Sequence, residues 1–201
     1  MTMDSECIGV DQDPALLEVA RSQDWGGRRM SFEQGDATSL PFEDDSFDFV
    51  FSRYLLVHVP EPVKAIREML RVAKPGGAVF AHEPDLAFTC CYPPNPAYEQ
   101  TTAMWAAVFP HPLIGRQLVH LFREAGAISP RAAADASIEN GSLDLKRLYR
   151  MSFESIGAAL VQAGSMKQAE FEERVEEFRL VESDPSITVI PHPNIAVWSI
   201  A

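Results

Sequence analysis

The chain has 201 residues, of which 46% are hydrophobic, and a formal net charge of −12. This length allows one well-buried core, and no shift in composition marks a second unit, so a single globular domain is expected. Because an acidic surface is repelled by nucleic-acid backbones and by anionic membranes, the composition favours a small-molecule partner over either of these.

The sequence carries no signal for export or membrane insertion. Residues 1–7 contain neither a basic segment nor an apolar one, and no later stretch approaches the roughly 18 uninterrupted apolar residues of a spanning helix. We therefore expect a cytoplasmic protein without membrane insertion. Cys7, Cys90 and Cys91 are odd in number and lack the spaced pairs of a zinc site, which predicts reduced thiols and no bound metal.

Strand and helix patterns alternate over the first 85 residues. Asp13-Pro14 offers a helix cap followed by proline at the first helical position, and residues 74–77, Lys-Pro-Gly-Gly, end a second amphipathic helix. The aromatic and branched run at 47–52 is typical of a buried parallel strand. The patterns predict strands at 7–10, 30–33, 47–52 and 78–82 and helices at 14–20 and 62–73.

This alternation with short connections predicts parallel βαβ units with helices on both faces of the sheet, which is a Rossmann-like α/β architecture. Past residue 85 the pattern becomes more helical. We expect three parts of one domain: residues 1–85, a helical region at 86–127, and strands and helices completing the sheet at 128–201. Within the last two parts the predicted elements are helices after 96, at 115–125, 143–163 and 167–180 and strands at 128–135 and 195–200.

Polar residues follow the first three predicted strands, where ligands bind in doubly wound sheets. The Asp11 carboxylate can accept hydrogen bonds from both hydroxyls of a ribose. Asp36 can accept from an adenine amino group while the backbone N–H of Ala37 meets a ring nitrogen. Residues 52–54, Ser-Arg-Tyr, face the position of a cofactor's reactive end. The alternative for both aspartates is that they only cap turns, which Asp favours.

Several short motifs then occur in a fixed order with short gaps. They are Gly-Val-Asp-Gln-Asp-Pro at 9–14, Gly-Asp-Ala at 35–37, Leu-Pro-Phe at 40–42, Ser-Phe-Asp-Phe-Val at 46–50, His-Val at 58–59 and the segment 68–77. In this order they resemble the class I S-adenosylmethionine-dependent methyltransferases of small molecules. Within these, the resemblance is closest to the type 11 group that includes quinone-biosynthesis C-methyltransferases, and it covers about residues 7–85.

The resemblance implies S-adenosylmethionine as the cofactor, with residues 1–85 as the cofactor-binding core and residues 86–127 as a helical cap over the substrate. Asp11 would hold the ribose, Gln12 would flank the adenine, residues 35–37 would bind the adenine edge, and residues 52–54 would line the methionine moiety. The implied cofactor-binding residues are Asp11, Gln12, Gly35, Asp36, Ala37, Ser52, Arg53 and Tyr54.

The family's opening strand and its Gly-x-Gly-x-Gly loop are absent from this sequence. The loop should lie about 20 residues before the acidic position, whereas ten residues precede Asp11. We therefore expect an N-terminally truncated methyltransferase, arising from a misplaced start codon or a broken gene, whose sheet lacks a central strand between those ending at Asp11 and Ser52. Two rows of backbone donors and acceptors would then be unpaired, unless the sheet closes up or a second copy pairs with them as a homodimer.

The function expected from this resemblance is methyl transfer from S-adenosylmethionine to a small-molecule acceptor. Candidate bases near the methyl group are Tyr54, His58, His82 and Glu83. Packing is the alternative for His58, and a local structural role is the alternative for His82 and Glu83. Trp105 and Phe109, at helical spacing, are expected to pack in the core or in a lid.

Two other functions remain open from the sequence. The first is a degenerate methyltransferase-like protein without catalysis, acting as a binding or assembly module. The second is a nicotinamide-dependent dehydrogenase, which shares an acidic residue after its second strand. The dehydrogenase does not explain residues 35–37.

Overall fold

The computed structural model describes residues 5–136 and 144–201. Its strands are β1 Glu6–Asp11, β2 Arg29–Gln34, β3 Phe47–Arg53, β4 Ala73–Pro84, β5 Cys90–Tyr92, β6 Ile128–Asp135, β7 Thr188–Ile190 and β8 Asn194–Ile200. Its helices are α1 Pro14–Ser22, α2 Pro62–Val72, α3 Pro96–Ala106, α4 Ile114–Ala125, α5 Asp144–Gln162 and α6 Gln168–Ser183. None of the helices in these two ranges is long and apolar enough to cross a bilayer. The start of the helix expected at 143 lies outside the described residues.

The strands form one four-stranded sheet and two small ones. In the largest sheet the order is β3-β4-β8-β6, with β3 and β4 parallel and β8 antiparallel to both of its neighbours. Strands β1 and β2 pair in parallel, and β5 pairs with β7. Helices connect the parallel strands, which confirms the Rossmann-like α/β architecture.

The parallel strands do not form one continuous sheet, because β1 and β2 pair separately from β3 and β4; that a central strand is missing between them stays a prediction. Among the described residues, β1 hydrogen-bonds only to β2, and β3 only to β4. Within residues 5–136 and 144–201, neither β1 nor β3 has a second neighbouring strand on its other edge. On β3, the Phe49 and Phe51 rings are about half exposed and stack with centroids 5.7 Å apart.

Local signals explain where the helices begin and end. Asp13 caps α1, with its Oδ1 accepting a hydrogen bond from the Ala15 N–H at 2.8 Å, and Asn95 caps α3 in the same way through the Tyr98 N–H at 3.0 Å. Helix α4 ends at Gly126, whose φ of 108° lies in the left-handed region that glycine adopts without strain.

Arg71 on α2 fixes the loop that precedes β3. Its guanidinium donates hydrogen bonds to the carbonyl oxygens of Leu40 and Phe42 and to the carboxylates of Asp44 and Glu68, over distances of 2.7–3.1 Å. Glu68 also accepts from the Leu40 N–H at 2.8 Å. These contacts hold the Leu-Pro-Phe motif against the helix.

The main core lies where α2 and α4 cover the four-stranded sheet. Its fully buried side chains include Ile66, Val79, Leu118, Phe122 and Val197.

The structure differs from the sequence-based elements in two places. Strand β4 begins at Ala73 rather than at 78, because Phe47 pairs with Ala73 and Phe49 with Ala78, so residues 74–77 bulge within the strand instead of forming a separate loop. Gly77 suits this bulge, since a Cβ there would lie 2.8 Å from the Lys74 carbonyl oxygen. The short strands β5 and β7 were not predicted at all.

Candidate functional site

The carboxyl ends of β1 and β2 bring two predicted aspartates next to each other. The Gly35 N–H donates to the Asp11 carbonyl oxygen at 3.0 Å, which ties the two strand ends together. The Asp11 Oδ1 accepts from the Asp13 N–H at 2.8 Å. The Asp36 Oδ1 accepts from the backbone N–H and the hydroxyl of Thr38 at 2.7 and 2.9 Å. The turn-capping alternative is therefore correct for one oxygen of each carboxylate.

The second oxygen of each carboxylate is available to a ligand. In the described part of the chain we find no hydrogen bond to the Oδ2 of Asp11 or of Asp36. Two hydrogen bonds from Thr38 lower the pKa of Asp36, and the one from the backbone N–H has a larger effect than the one from the hydroxyl. The carboxylate is therefore charged at neutral pH. Capping a turn and accepting from a ligand are thus compatible roles for these residues.

The neighbouring predicted residues support this strand end. The Gln12 carbonyl oxygen accepts from the Gln34 side-chain amide at 3.0 Å, and Ala37 packs against the main core. At Gly35 a Cβ would lie 2.9 Å from Val10 Cγ1 and 3.1 Å from Pro41 Cδ. Only glycine allows this close approach without displacement of a neighbour.

Ser52 and Arg53 end β3 at the corresponding edge of the larger sheet, and Tyr54 follows them. Ser52 is 6% exposed, and its hydroxyl oxygen is buried without a hydrogen-bond partner within the described ranges. Tyr54 has a φ of 51°, in the left-handed region. It is held by its N–H, which donates to the His82 carbonyl oxygen at 3.1 Å, and by its hydroxyl, which donates to Asn194 Oδ1 at 2.6 Å. The Arg53 guanidinium lies 5.3 Å from the Tyr54 ring centre.

Glu83 organises the loop that follows β3. Its side chain is fully buried, and its Oε1 accepts from the N–H groups of Leu55 and Leu56 at 3.0 Å each. Its Oε2 accepts from the Val57 N–H at 3.2 Å. Burial raises the pKa of Glu83, while the three N–H donors oppose that rise. With both oxygens occupied by backbone donors, the geometry favours the structural role for Glu83 over the role of a base.

The two histidines proposed as bases lie at the margin of this edge. His58 is exposed and its ring centre is 5.3 Å from that of Phe109; partial burial lowers its pKa. His82 Nε2 lies 3.4 Å from the carboxylate of Asp135 at the end of β6. Neither contact gives the histidine a defined role in proton transfer.

An aromatic cluster beside Tyr54 was not anticipated from the sequence. Tyr149 Oη lies 2.6 Å from His192 Nδ1. The Trp105 ring lies nearly parallel to the His192 ring, with centroids 6.3 Å apart, and meets Tyr149 edge-on at 5.6 Å. The Tyr54 ring meets His192 edge-on at 6.5 Å. Trp105 is 8% exposed, in agreement with the expected packing role. Tyr149 and His192 come from segments without a motif, so no sequence signal would have found them.

The structure thus assembles the candidate residues in two groups. Asp11, Gln12 and residues 35–37 lie at the end of the β1–β2 sheet, and residues 52–54 lie with His82 and Glu83 at the end of the β3–β4 pair. The two groups belong to separately hydrogen-bonded sheets within the described residues.

Comparison with known proteins finds similarity to methyltransferases. Residues 1–81 match the model of a methyltransferase domain. The first part of this chain is therefore similar to methyltransferase domains. An uncharacterized methyltransferase, YcgJ of Bacillus subtilis, is 49% identical to it over 74 residues, which are 36% of this chain and 29% of that protein. The demethylmenaquinone methyltransferase of Clavibacter sepedonicus is 46% identical over 76 residues, 38% of this chain and 31% of that protein.

The similarity in fold extends over the whole chain. The crystal structure of YcgJ superposes with a TM-score of 0.60 at 20% identity, covering 98% of this chain and 83% of that one. At this identity the superposition shows that the two share a fold. The sequence matches to the two curated relatives span less than a third of their length.

Proposed function

We propose that this chain transfers a methyl group from S-adenosylmethionine to a small-molecule acceptor. The observation that carries the proposal is the pair of carboxylates at the adjoining ends of β1 and β2, within the segment that matches the methyltransferase model. Asp11 and Asp36 each use one oxygen for a turn and keep the other for a ligand. Two charged acceptors at neighbouring strand ends suit the ribose hydroxyls and the adenine amino group.

The residues present fit the adenosine side of the cofactor better than its methionine side. Ser52 offers a buried hydroxyl without a partner in the described residues, and Tyr54 is fixed by two hydrogen bonds. The 201 residues contain no Gly-x-Gly-x-Gly loop to add backbone donors there. We expect measurable but weakened cofactor binding by this chain.

When bound, the cofactor supplies a methyl group on a sulfonium, which an acceptor takes by direct displacement. The protein then contributes proximity, alignment and exclusion of water. Asp11 would accept hydrogen bonds from the ribose, Asp36 and the Ala37 N–H would bind the adenine, and Ser52 and Tyr54 would line the methionine side. Glu83 keeps the loop after β3 in place through its three backbone contacts.

Calorimetric titration with S-adenosylmethionine tests the cofactor site. Asp11→Ala removes the ribose acceptor and should weaken binding by about 1–3 kcal/mol. Asp24→Ala is the matched control, because Asp24 also caps a turn through one oxygen, accepting from the Gly26 N–H at 2.8 Å. Equal affinity of the Asp11 and Asp24 variants would show that the ribose assignment is wrong. No binding by the unaltered chain would overturn the proposal.

A non-catalytic binding or assembly module is the second candidate. The observation in its favour is the interrupted sheet, which leaves one edge of β1 and one edge of β3 unpaired among the described residues. Unpaired edges are templates for association with another chain. Failure to bind S-adenosylmethionine, together with formation of a stable oligomer, would support this candidate.

The remaining features of the function stay predictions. They include a cytoplasmic location and a small molecule rather than nucleic acid as the acceptor. They also include the division at residues 85 and 127 into a core, a cap and a part that completes the sheet, and the pairing of the exposed β1 and β3 edges with a second copy of the chain.

The pairing of the β3 edge can be tested by mutation. Phe49 and Phe51 lie on β3 and are about half exposed, so Phe51→Lys should reduce any dimer that analytical ultracentrifugation detects.

A further inference from the structure

One face of the sheet β3-β4-β8-β6 is not covered by helices. Val79, Ala81 and Val197 belong to the core under α2 and α4. Because neighbouring residues of a strand point to opposite faces, Phe80 and Trp198 lie on the other face, which we call the open face. Within residues 5–136 and 144–201, α2 and α4 are the only helices that pack extensively against this sheet. Sheets with parallel strands are normally covered on both faces, so the open face is expected to have a partner.

The strand register places aromatic side chains in one row across the open face. Phe51 pairs with Phe80, and Phe80 pairs with Trp198. Trp198 in turn pairs with Arg131 on β6. Phe49 precedes Phe51 on the same face, and both rings are about half exposed, while Phe80 and Trp198 are partly exposed. Contiguous exposed rings of this kind mark an interaction surface.

The open face carries opposite charges at its two sides. Arg53 ends β3, and its guanidinium lies 5.3 Å from the Tyr54 ring centre. At the other side of the sheet, Asp135 ends β6 and lies 3.4 Å from His82 Nε2. Arg53 and Arg131 are exposed, and in the described part of the chain we find no ion pair for either. Two guanidinium groups on this face are therefore available to a partner.

A two-fold rotation makes the open face complementary to itself. With the axis along the strands, between β4 and β8, β3 of one copy lies over β6 of the second copy, and β4 lies over β8. Phe80 then meets Trp198 of the second copy, which is an aromatic pair. Phe51 meets Arg131 of the second copy, which is a cation–π contact. Sheets that pack face to face keep their strands nearly aligned, as this arrangement requires.

The same rotation brings the opposite charges together. Arg53 lies in the row of Ala196 and Ala133. Asp135 is two residues further along β6, a distance of about 7 Å that an arginine side chain can span. Arg53 of each copy therefore reaches Asp135 of the second copy, and every contact occurs twice. A two-fold axis along the aromatic row would instead place Arg131 against its own copy, so the charges favour the axis along the strands.

We propose that two copies of this chain associate through the open face, with their sheets face to face and β3 of each copy over β6 of the second copy. This arrangement differs from pairing of the β1 and β3 edges, in which β6 takes no part. The inference goes beyond the proposed function and does not depend on binding of S-adenosylmethionine.

Sedimentation velocity over a series of protein concentrations should show a dimer of the unaltered chain. Arg131→Glu removes both cation–π contacts and should raise the dissociation constant of the dimer by about tenfold or more. Arg123→Glu is the matched control, because it makes the same change of charge at an exposed position of α4, which covers the opposite face. This control should leave the dissociation constant nearly unchanged. Circular dichroism checks that each variant is folded.

Exchange of the two charges tests the predicted orientation. Arg53→Asp and Asp135→Arg should each weaken the dimer, because each places like charges opposite one another, and the double variant should recover much of the lost affinity. Within one copy these residues lie on the first and the fourth strand of the sheet, about 14 Å apart at the usual strand spacing. Recovery in the double variant would therefore come from a contact between two copies.

The possible results separate this inference from the alternatives. A monomer at every concentration would overturn it. A dimer that Phe51→Lys disrupts, but that Arg131→Glu and the charge exchange leave unchanged, would indicate edge pairing and would also overturn it. Weakening by each single charge variant with recovery in the double variant supports it. If S-adenosylmethionine does not bind while the dimer responds as expected, the proposed function fails and this inference stands.

Discussion

Replacing Glu83 tests whether one buried carboxylate holds the loop at the centre of the site. In Glu83→Ala, the N–H groups of Leu55, Leu56 and Val57 lose their acceptor, and the last two residues are 0% and 1% exposed. Each unpaired buried donor costs about 1–3 kcal/mol. Since small domains have about 5–15 kcal/mol of stability in total, this variant should be close to unfolding.

Glu83→Gln is the graded version of the same test. The glutamine oxygen can keep the contacts with Leu55 and Leu56, but its amide N–H₂ then faces the Val57 N–H. One hydrogen bond is lost and two donors oppose each other, so the free energy of unfolding should fall by about 1–3 kcal/mol. The expected order of stability is unaltered chain, then glutamine variant, then alanine variant.

Urea unfolding followed by circular dichroism measures these differences. Glu61→Gln is the matched control, because the Glu61 side chain is exposed and makes only a 3.8 Å ion pair with Lys64, a contact worth at most about 1 kcal/mol. A loss below about 1 kcal/mol in Glu83→Ala would refute the argument. Normal stability of Glu83→Gln with complete loss of methyl transfer would instead restore Glu83 as a base.

Three further predictions follow from single contacts. Arg71→Lys cannot reproduce the forked contacts to Leu40 and Phe42, and should lower the free energy of unfolding by about 1–2 kcal/mol in urea titration. Gly35→Ala would place a Cβ against Val10 and Pro41, and thermal unfolding should show a loss of about 1–3 kcal/mol. For His192, the unfolded chain binds its proton near pH 6.5 but the folded one only near pH 4, so stability falls as the pH drops between these values. Relative to His192→Phe, the unaltered chain should lose about 2–3 kcal/mol of unfolding free energy between pH 7 and pH 4. If the difference between the two proteins stays constant over this range, His192 is not buried in its neutral form.

The first half of the fold could be predicted because its signals are local. A cap at Asp13, the apolar spacing of α2 and the branched residues of β3 each act within a few residues of chain. Strands β5 and β7 are different, because each has three residues and is defined by pairing Cys90–Tyr92 with Thr188–Ile190 across most of the helical part. No periodicity can appear in so short a segment, so only the tertiary contact reveals them.

The same distinction between local signals and tertiary contacts applies to the residues of the candidate site. The placement of Asp11 and Asp36 at the ends of two neighbouring strands could be predicted from the sequence, and ligands bind at the carboxyl ends of parallel strands; their contact with a ligand stays a prediction. Glu83 lies near the end of β4, but the choice between a base and a structural acceptor depends on the three N–H groups that reach it from the loop after β3. For Tyr149 and His192 the informative feature is their mutual contact, which is set by how α5 and the segment before β8 pack.

The residues proposed for the cofactor and those near the proposed acceptor lie in different parts of the chain. The proposed adenosine-binding residues lie within residues 11–37, inside the segment that matches the methyltransferase model, whereas Trp105, Tyr149 and His192 lie beyond it. The antiparallel return of β8 along β4 brings Asn194 to Tyr54, which follows the end of β3. Proteins that share only the first 81 residues are therefore expected to share the cofactor contacts while differing in the acceptor. Exchanging the segment after residue 81 between such relatives should change the preferred acceptor and leave the affinity for S-adenosylmethionine nearly constant. A change in cofactor affinity with an unchanged acceptor would contradict this assignment of the cofactor side and the acceptor side.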